Sequence, residues 1–455
     1  MATALNEYCS WCNVFASHYR AEKNTFTRSI YTCQACKKST VQCRYCKNMA
    51  KTGGSWSDEL CAEHDGTIAS FKKLGLKLKD ISDYSDIFRG QSTNLMPVAK
   101  IGVGFFAGAV IFIPIAQLAA APLAAAIGAS GILGVAGTGT AISTLTGAAL
   151  SSASLAAMGG GTMAGGALIF SAAGAALGGY QGAAVSNSYF GEVDHFDILK
   201  LKPAKGRSKK SVIVINGFMS QSDYDSSDWT DQLSSHFVDH AWYHTDWEAK
   251  SLQKLGSYAF KSPKIAGLEI AKNVGKRAIK SAAGKITPIT LVNHISDIIG
   301  NPWHSTMTKA MMTGAMLADA IARTPGQQFT LIGHSLGARV IYYALKALST
   351  SKSKKKMIEN VYLLGGAVGG GVKDNDDWEK ATRSVEGKIF NCYSEKDMVL
   401  KYLYQGANAG ISTPIGYKKI ALKHEKIHNF DCEALVGGHF GWKRNLDEIL
   451  TQLKT

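Results

Sequence analysis

The sequence predicts an α/β fold, a mostly parallel sheet flanked by helices, preceded by a cysteine-rich module and a helical Gly/Ala-rich segment. Three observations predict it. Gly333-His334-Ser335-Leu336-Gly337 sits between an apolar strand (Phe329, Leu331, Ile332) and the helix-like run Ala338 to Leu345. Seven of the nine cysteines fall within the first 61 residues. No Asp, Glu, Lys or Arg occurs from Ile101 to Gly191. A length of 455 residues leaves room for roughly two to four domains.

Residues 1–66 carry four paired-ligand knuckles: Cys9-x2-Cys12, Cys33-x2-Cys36, Cys43-x2-Cys46 and Cys61-x2-His64. Seven thiolates and one imidazole make two closed tetrahedral Zn²⁺ sites, both structural because no ligand position stays open. So small a segment has little apolar core, and metal binding is expected to supply its folding free energy. The N-terminal residues Met1 to Glu7 lack the charged and apolar regions of a signal peptide, which places these thiols in a reducing compartment. The spacing between pairs, 20, 6 and 14 residues, resembles cross-braced fingers of the FYVE and RING type. Pairs one and three would then share one metal, and pairs two and four the other; sequential pairing is the alternative. Basic residues among the ligands (Arg28, Lys37, Lys38, Arg44, Lys47) suit anionic headgroups, whereas the FYVE basic signature is absent. The module is expected to dock a protein or a headgroup, not to catalyse.

Residues 67–100 read as a polar linker of mixed charge. The uncharged stretch 101–191 contains windows of membrane-spanning length at about 101–120, 121–140 and 163–185. Gly174, Gly178 and Gly182 recur every four residues, a spacing that lets lipid-embedded helices approach closely. Basic residues flank the stretch on both sides, from Lys72 to Lys100 and from Lys200 to Lys210. Both flanks are therefore expected to face the cytoplasm, with an even number of spans. The formal charge of +15 favours anionic partners. With no nucleic-acid module in the sequence, that partner is expected to be lipid.

From 195 to 455 the pattern is that of an enzyme domain. A strand that turns sharply into a helix at G-x-S-x-G is the nucleophile elbow of α/β hydrolases. Its strained turn lifts Ser335 Oγ clear of the sheet, over the free N–H groups of a helix start. Ser211 to Asn216 is an earlier strand closed by Gly217-Phe218-Met219. The loop after that strand supplies one oxyanion donor, from Phe218 or Met219, and the residue after the nucleophile, Leu336, supplies the other. Lys388 to Tyr393 is a later strand running into Ser394-Glu395-Lys396-Asp397, so Asp397 is the expected triad acid, with Glu395 and Asp431 as competitors. Of His424, His428 and His439, the last follows Gly437-Gly438 on a loop able to reach the site. The chain order Ser335, Asp397, His439 is that of α/β hydrolases. His334 reads as a packing residue, and Cys392 and Cys432 as buried thiols. The run Pro263 to Lys280 reads as a basic amphipathic helix, suited either to the core or to an anionic bilayer surface.

The second half resembles the transmembrane and coiled-coil domain-containing proteins that carry domain of unknown function 726. The matching residues are Trp247-Glu248, Asn301-Pro302-Trp303, Leu331 through Arg339, Tyr362 through Gly366, Trp378, Asn391 through Ser394, Asp397 through Tyr404, and Gly438-His439, across roughly residues 95–450. The resemblance implies an α/β-hydrolase fold with Ser335, Asp397 and His439 as the triad, in a membrane-associated hydrolase. The zinc module departs from that family's pattern.

The combined reading is a membrane-associated serine hydrolase cleaving carboxylic esters, most simply of lipid, with membrane lipid as both anchor and substrate. Rival readings are a non-catalytic scaffold, a membrane-permeabilising protein and a soluble esterase.

Overall fold

A meander of five antiparallel strands opens the chain: β1 (Ala4–Tyr8), β2 (Phe15–Glu22), β3 (Ile30–Cys33), β4 (Ser39–Gln42) and β5 (Met49–Lys51). The computed structural model describes residues 4–23, 28–52, 59–66, 68–88, 195–217, 227–247, 302–351, 356–404 and 413–454, with 177–179, 186 and 193. Phe218, Met219, the run 263–280 and nearly all of the Gly/Ala-rich stretch, with its expected membrane helices, lie outside the described residues. Among the described residues no helix is long and apolar enough to cross a membrane.

The meander decides how the knuckles pair. Strands β1 and β2 close over the first knuckle through Tyr8 opposite Phe15, and β3 and β4 close over the second through Thr32 opposite Ser39. Because β2 pairs with β3, placing His18 opposite Cys33, the first two knuckles become neighbours. Cys9, Cys12, Cys33 and Cys36 form one cluster, and Cys43, Cys46, Cys61 and His64 the other. The pairing is sequential, and the cross-braced expectation is corrected. Spacing along the chain carries no information about which hairpins form; strand pairing does.

Residues 68–88, part of the stretch read as a polar linker, pack against the large sheet. Helix α1 (Phe71–Leu74) and a 3₁₀ segment, Ile81–Ile87, press Phe71, Leu74, Ile81, Tyr84 and Ile87 into the same core as the sheet residues Ile213 and Leu331. The Tyr8 ring stacks on Phe71 at 5.1 Å, and Glu63 Oε1 accepts the Phe71 N–H at 2.6 Å, so the strap also grips the cysteine-rich module.

The large sheet has seven strands: β6 (Phe196–Lys202), β7 (Lys210–Ile215), β8 (Ala241–Trp247), β9 (Gln328–His334), β10 (Ile358–Leu364), β11 (Ile389–Tyr393) and β12 (Ile427–Asp431). Their spatial order is β12-β11-β10-β9-β7-β8-β6, parallel throughout except for β6 at one edge. Both faces are covered, which is why the strands read as near-continuous apolar runs. Ile213, Ile215, Phe329, Leu331 and Leu363 face one core, while Val212, Val214, Ile332 and Leu364 face the other. Helices α3 (Pro302–Arg323), α4 (Leu336–Ser349) and α5 (Asn375–Arg383) cover the first face; α2 (Ser227–Leu233) and α6 (Leu446–Lys454) cover the second. A central strand leading into a helix at a sharp turn, on a sheet of this order with one antiparallel edge, defines an α/β-hydrolase-like fold.

A buried ion pair fastens the strap to α3. Arg323 Nε lies 2.7 Å from Asp319 Oδ2, and neither side chain is exposed. Arg323 also donates to the carbonyls of Leu74, Leu76 and Gly179, and Asp319 accepts from Tyr84 Oη, Ser186 Oγ and the Gly178 N–H. Leu177–Gly179 is a turn, with Gly178 at φ +73°. Within the expected window 163–185, Gly178 and Gly179 have backbone groups bonded to the charged side chains of Asp319 and Arg323; apart from Leu177, the rest of that window lies outside the described residues.

Candidate active site

Ser335 occupies the turn between β9 and α4 with φ 56° and ψ −116°, a conformation that L-residues avoid. Its N–H donates to Leu364 O at 3.0 Å, and its carbonyl accepts the N–H groups of Ala338 and Ala367 at 3.2 and 3.0 Å. These bonds hold the strained peptide. A Cβ at Gly337 would lie 2.2 Å from the carbonyl oxygen of Ile215, so only glycine lets α4 descend against β7. Leu336 is the first helical residue, and its N–H belongs to the turn that has no helical acceptor.

The structure brings Ser335, His439 and Asp397 together from three separate strand ends. Ser335 follows β9, Asp397 follows β11, and His439 follows β12. His439 Nε2 lies 3.0 Å from Ser335 Oγ, and His439 Nδ1 lies 2.8 Å from Asp397 Oδ2. Ser335 is 2% exposed, and Asp397 and His439 are 0% exposed. A carboxylate so deep needs its lone pairs satisfied. Asp397 Oδ1 accepts the Leu400 N–H at 3.1 Å, and Oδ2 accepts Trp442 Nε1–H at 2.9 Å in addition to the imidazole. Within this geometry the imidazole can take the hydroxyl proton while the carboxylate fixes the tautomer.

The competing residues stand elsewhere. Glu395 is exposed, and Asp431 is exposed and accepts from Tyr393 Oη at 3.3 Å. His424 contacts Thr382 Oγ1 at 3.4 Å, and His428 lies exposed between Phe390 and Phe430. Cys392 and Cys432 are buried free thiols. His334 is buried, and burial, reinforced by the neighbouring His439 and Lys443 charges, holds its pKa well below the usual histidine value. It is neutral, and its Nε2–H donates to the His439 carbonyl at 3.2 Å. The elbow histidine thus packs, as its position suggested, and also holds the His439 backbone.

Trp442 is the site residue that sequence reading missed. It opens the last helical stretch, and nothing local marks it. The signal lay on another strand: a Cβ at Gly365, where φ is +53°, would lie 2.4 Å from the indole nitrogen. The glycine after β10 leaves the space that the indole fills.

The two cysteine clusters could each hold a metal ion. A tetrahedral zinc with Zn–S bonds of about 2.3 Å places its sulfurs about 3.8 Å apart. Cys9 and Cys36 sulfurs are 3.9 Å apart, and those of Cys12 and Cys33 4.0 Å. In the second cluster Cys46 and Cys61 sulfurs lie at 3.5 Å, with His64 Nδ1 3.1 Å from Cys61 and 3.6 Å from Cys43. Asn13 and Lys37, directly after Cys12 and Cys36, turn left-handed at φ 56° and 61° and donate back to the carbonyls of Cys9 and Cys33, curling each knuckle round its sulfurs. Crowding polarises the thiols: Cys9, donating to Cys12, is pushed far up, and Cys12, receiving from it, falls to about 5. Soft donors at these separations fit a divalent cation.

The chain is 28% identical over 291 residues to "Probable lipase MIL1" of Saccharomyces cerevisiae, a match covering 63% of this chain and 26% of that protein. It is 31% identical over 211 residues to an uncharacterized membrane protein of Schizosaccharomyces pombe, covering 46% and 26%. It is 29% identical over 308 residues to the transmembrane and coiled-coil domain-containing protein STS1 of Oryza sativa, covering 63% and 42%. The chain therefore spans less than half the length of these curated relatives. Among solved structures, a type II thioesterase of yersiniabactin biosynthesis aligns with a TM-score of 0.26 at 12% identity, over 56% of this chain and 96% of that one. Acetyl xylan esterase 1 of Thermoanaerobacterium aligns with a TM-score of 0.26 at 13% identity, over 56% and 77%. Residues 94–455 match the family described as "Protein of unknown function (DUF726)", and the chain belongs to that family.

Proposed function

We propose that this protein is a serine hydrolase of carboxylic esters in which Ser335 is the nucleophile, His439 the general base and Asp397 the acid that orients it. The observation that supports this most is the run of contacts from Ser335 Oγ through His439 to Asp397, 3.0 and 2.8 Å, at a strained elbow. His439 takes the Ser335 proton as Oγ attacks the ester carbonyl. The tetrahedral oxyanion is held by the Leu336 N–H and by a second N–H from Phe218 or Met219. The imidazolium then protonates the leaving alcohol, and water hydrolyses the acyl-enzyme by the same path.

Membrane lipid is the proposed substrate class. The yeast relative is named as a probable lipase, other relatives are named as membrane proteins, and residues 101–191 carry no formal charge. The uncharged region is proposed to anchor the protein, with the cysteine-rich module and the α/β domain on the cytoplasmic side. Two structural Zn²⁺ ions are proposed, one on Cys9, Cys12, Cys33 and Cys36, the other on Cys43, Cys46, Cys61 and His64. Bound there, zinc cross-links the strand meander and takes no part in ester cleavage.

Labelling by a fluorophosphonate tests the reading. Wild type is expected to label, and Ser335→Ala and His439→Ala are expected not to. A folded, metal-loaded wild type that takes no label overturns the mechanism.

A further inference from the structure

The end of β7 carries an asparagine whose side-chain amide is occupied on both sides, directly behind the nucleophile. Asn216 Oδ1 accepts Trp229 Nε1–H at 2.7 Å and Lys443 Nζ at 3.0 Å. Its Nδ2 lies 3.0 Å from His244 Nε2, and its carbonyl accepts Trp247 Nε1–H at 2.9 Å. Chemistry fixes the orientation of the amide. An indole and an ammonium only donate, so both must face the oxygen, and His244 Nε2 must accept from Nδ2. Burial lowers the His244 pKa and keeps that ring neutral, as the acceptor role requires.

Two parts of the proposed machinery meet at this amide. The next residue, Gly217, is pressed on the elbow: a Cβ there would lie 2.3 Å from His334 O, 2.6 Å from Leu336 N and 2.8 Å from Ser335 Cβ. From the other side comes Lys443, one helical turn beyond His439. Its side chain is 12% exposed, its ammonium pairs with Asp228, and it lies over the Trp229 ring at 5.0 Å. One acceptor oxygen therefore ties the turn that bears the base to the strand end that sets the backbone beside Leu336.

We propose that Asn216 and Lys443 are a positioning pair: their hydrogen bond holds the His439 turn and the oxyanion side of the site in mutual register. The inference rests on the serine hydrolase reading above. Neither side chain exchanges a proton or touches the ester. Loss of either loosens the alignment of base, nucleophile and backbone donors, on which the rate depends more steeply than binding does. The donor to Asn216 need only be cationic and long enough, so arginine at 443 can replace lysine, whereas methionine cannot.

The test uses the full chain with p-nitrophenyl butyrate and a fluorophosphonate, alongside thermal midpoints. Lys443→Met and Asn216→Ala are each expected to lower kcat and the labelling rate roughly 10- to 100-fold, with KM within about threefold of wild type. The double variant is expected to fall no more than about threefold below the worse single variant, because both changes cut one link. Lys443→Arg is expected to recover most of the loss, which a merely structural role would not produce. Should Asn216→Ala not fold, Lys443→Met carries the test, since the Asp228 it strands is 47% exposed and can be hydrated. A folded Lys443→Met protein that reacts at the wild-type rate, or losses that multiply in the double variant, overturn the pair. A labelled wild type with unaffected variants overturns this inference alone; an unlabelled wild type overturns it together with the hydrolase reading.

Discussion

Trp442 and His439 donate to the same oxygen of Asp397, the indole from 2.9 Å and the imidazole from 2.8 Å. The carboxylate is sealed from solvent, so the indole does work that water does at a more open site. It keeps the negative charge in place and fixes the direction from which the imidazole is held.

Trp442→Phe keeps most of the packing against Gly365 and removes that hydrogen bond. A bond to a charged group contributes about 1.5–3 kcal/mol, so a loss of roughly 10-fold or more in kcat is expected, with KM nearly unchanged. Steady-state kinetics on p-nitrophenyl butyrate measures it. An unchanged kcat would mean that the Leu400 N–H and His439 suffice to hold Asp397.

His334 gives the stability of the fold a pH dependence whose sign follows from burial. Its pKa is held well below the ordinary histidine value of about 6.5 in the folded state, so below that pH the unfolded chain binds more protons. Stability from this group is complete above pH 6.5 and drains away as pH falls, by up to about 1.4 kcal/mol per pH unit. His18, His240 and His244 are also lowered by burial and add in the same direction. His334→Gln keeps a donor for the His439 carbonyl and cannot titrate. Urea midpoints at pH 7 and pH 5 should therefore fall less in the variant than in wild type; equal falls would show that His334 protonates freely in the fold.

Metal removal should reach the α/β domain as well as the cysteine-rich module, and unequally from the two clusters. Cys43 and Cys61 belong to the core that contains Phe71, Tyr84 and the sheet residues, whereas Cys9 and Cys33 do not. Two equivalents of zinc are expected in wild type and one in either Cys12→Ser or Cys46→Ser. Cys46→Ser is expected to lower the thermal midpoint of the α/β domain, and Cys12→Ser to leave it closer to wild type. Zinc analysis with calorimetry reads both, and equal midpoints for the two variants would separate the second cluster from the domain.

What could be read along the chain was chemistry with a local signature. The elbow announces itself because its small residues and apolar flanks are contiguous, Asp397 because it follows a strand end, and His439 because it follows Gly437-Gly438 on a loop. Paired cysteines announced candidate metal ligands, while which knuckles meet depends on β2 pairing with β3. Trp442, Asn216 and Lys443 act through contacts between segments far apart in sequence, which no local pattern encodes. The strap did leave a trace: Phe71 and Leu74, then Ile81, Tyr84 and Ile87, are apolar at intervals of three. Lysines and aspartates between them drew attention to the polar face and away from that stripe.

That strap supplies the last prediction, through the Asp319–Arg323 pair to which it is bonded. The pair sits on successive turns of α3, with no exposure, and its remaining polar atoms are bonded to Leu74, Leu76, Tyr84, Gly178, Gly179 and Ser186. Arg323→Met leaves a carboxylate buried without its cation and should cost about 3–5 kcal/mol. Removing both charges in Asp319→Leu with Arg323→Met leaves no uncompensated ion. If desolvation of the pair offsets most of its attraction, the double variant should be more stable than Arg323→Met alone. Denaturant unfolding of the three proteins decides the point. A double variant that matches or falls below the single one would mean that the carbonyl and hydroxyl bonds of the strap, not the ion pair as such, hold residues 68–88 to the domain.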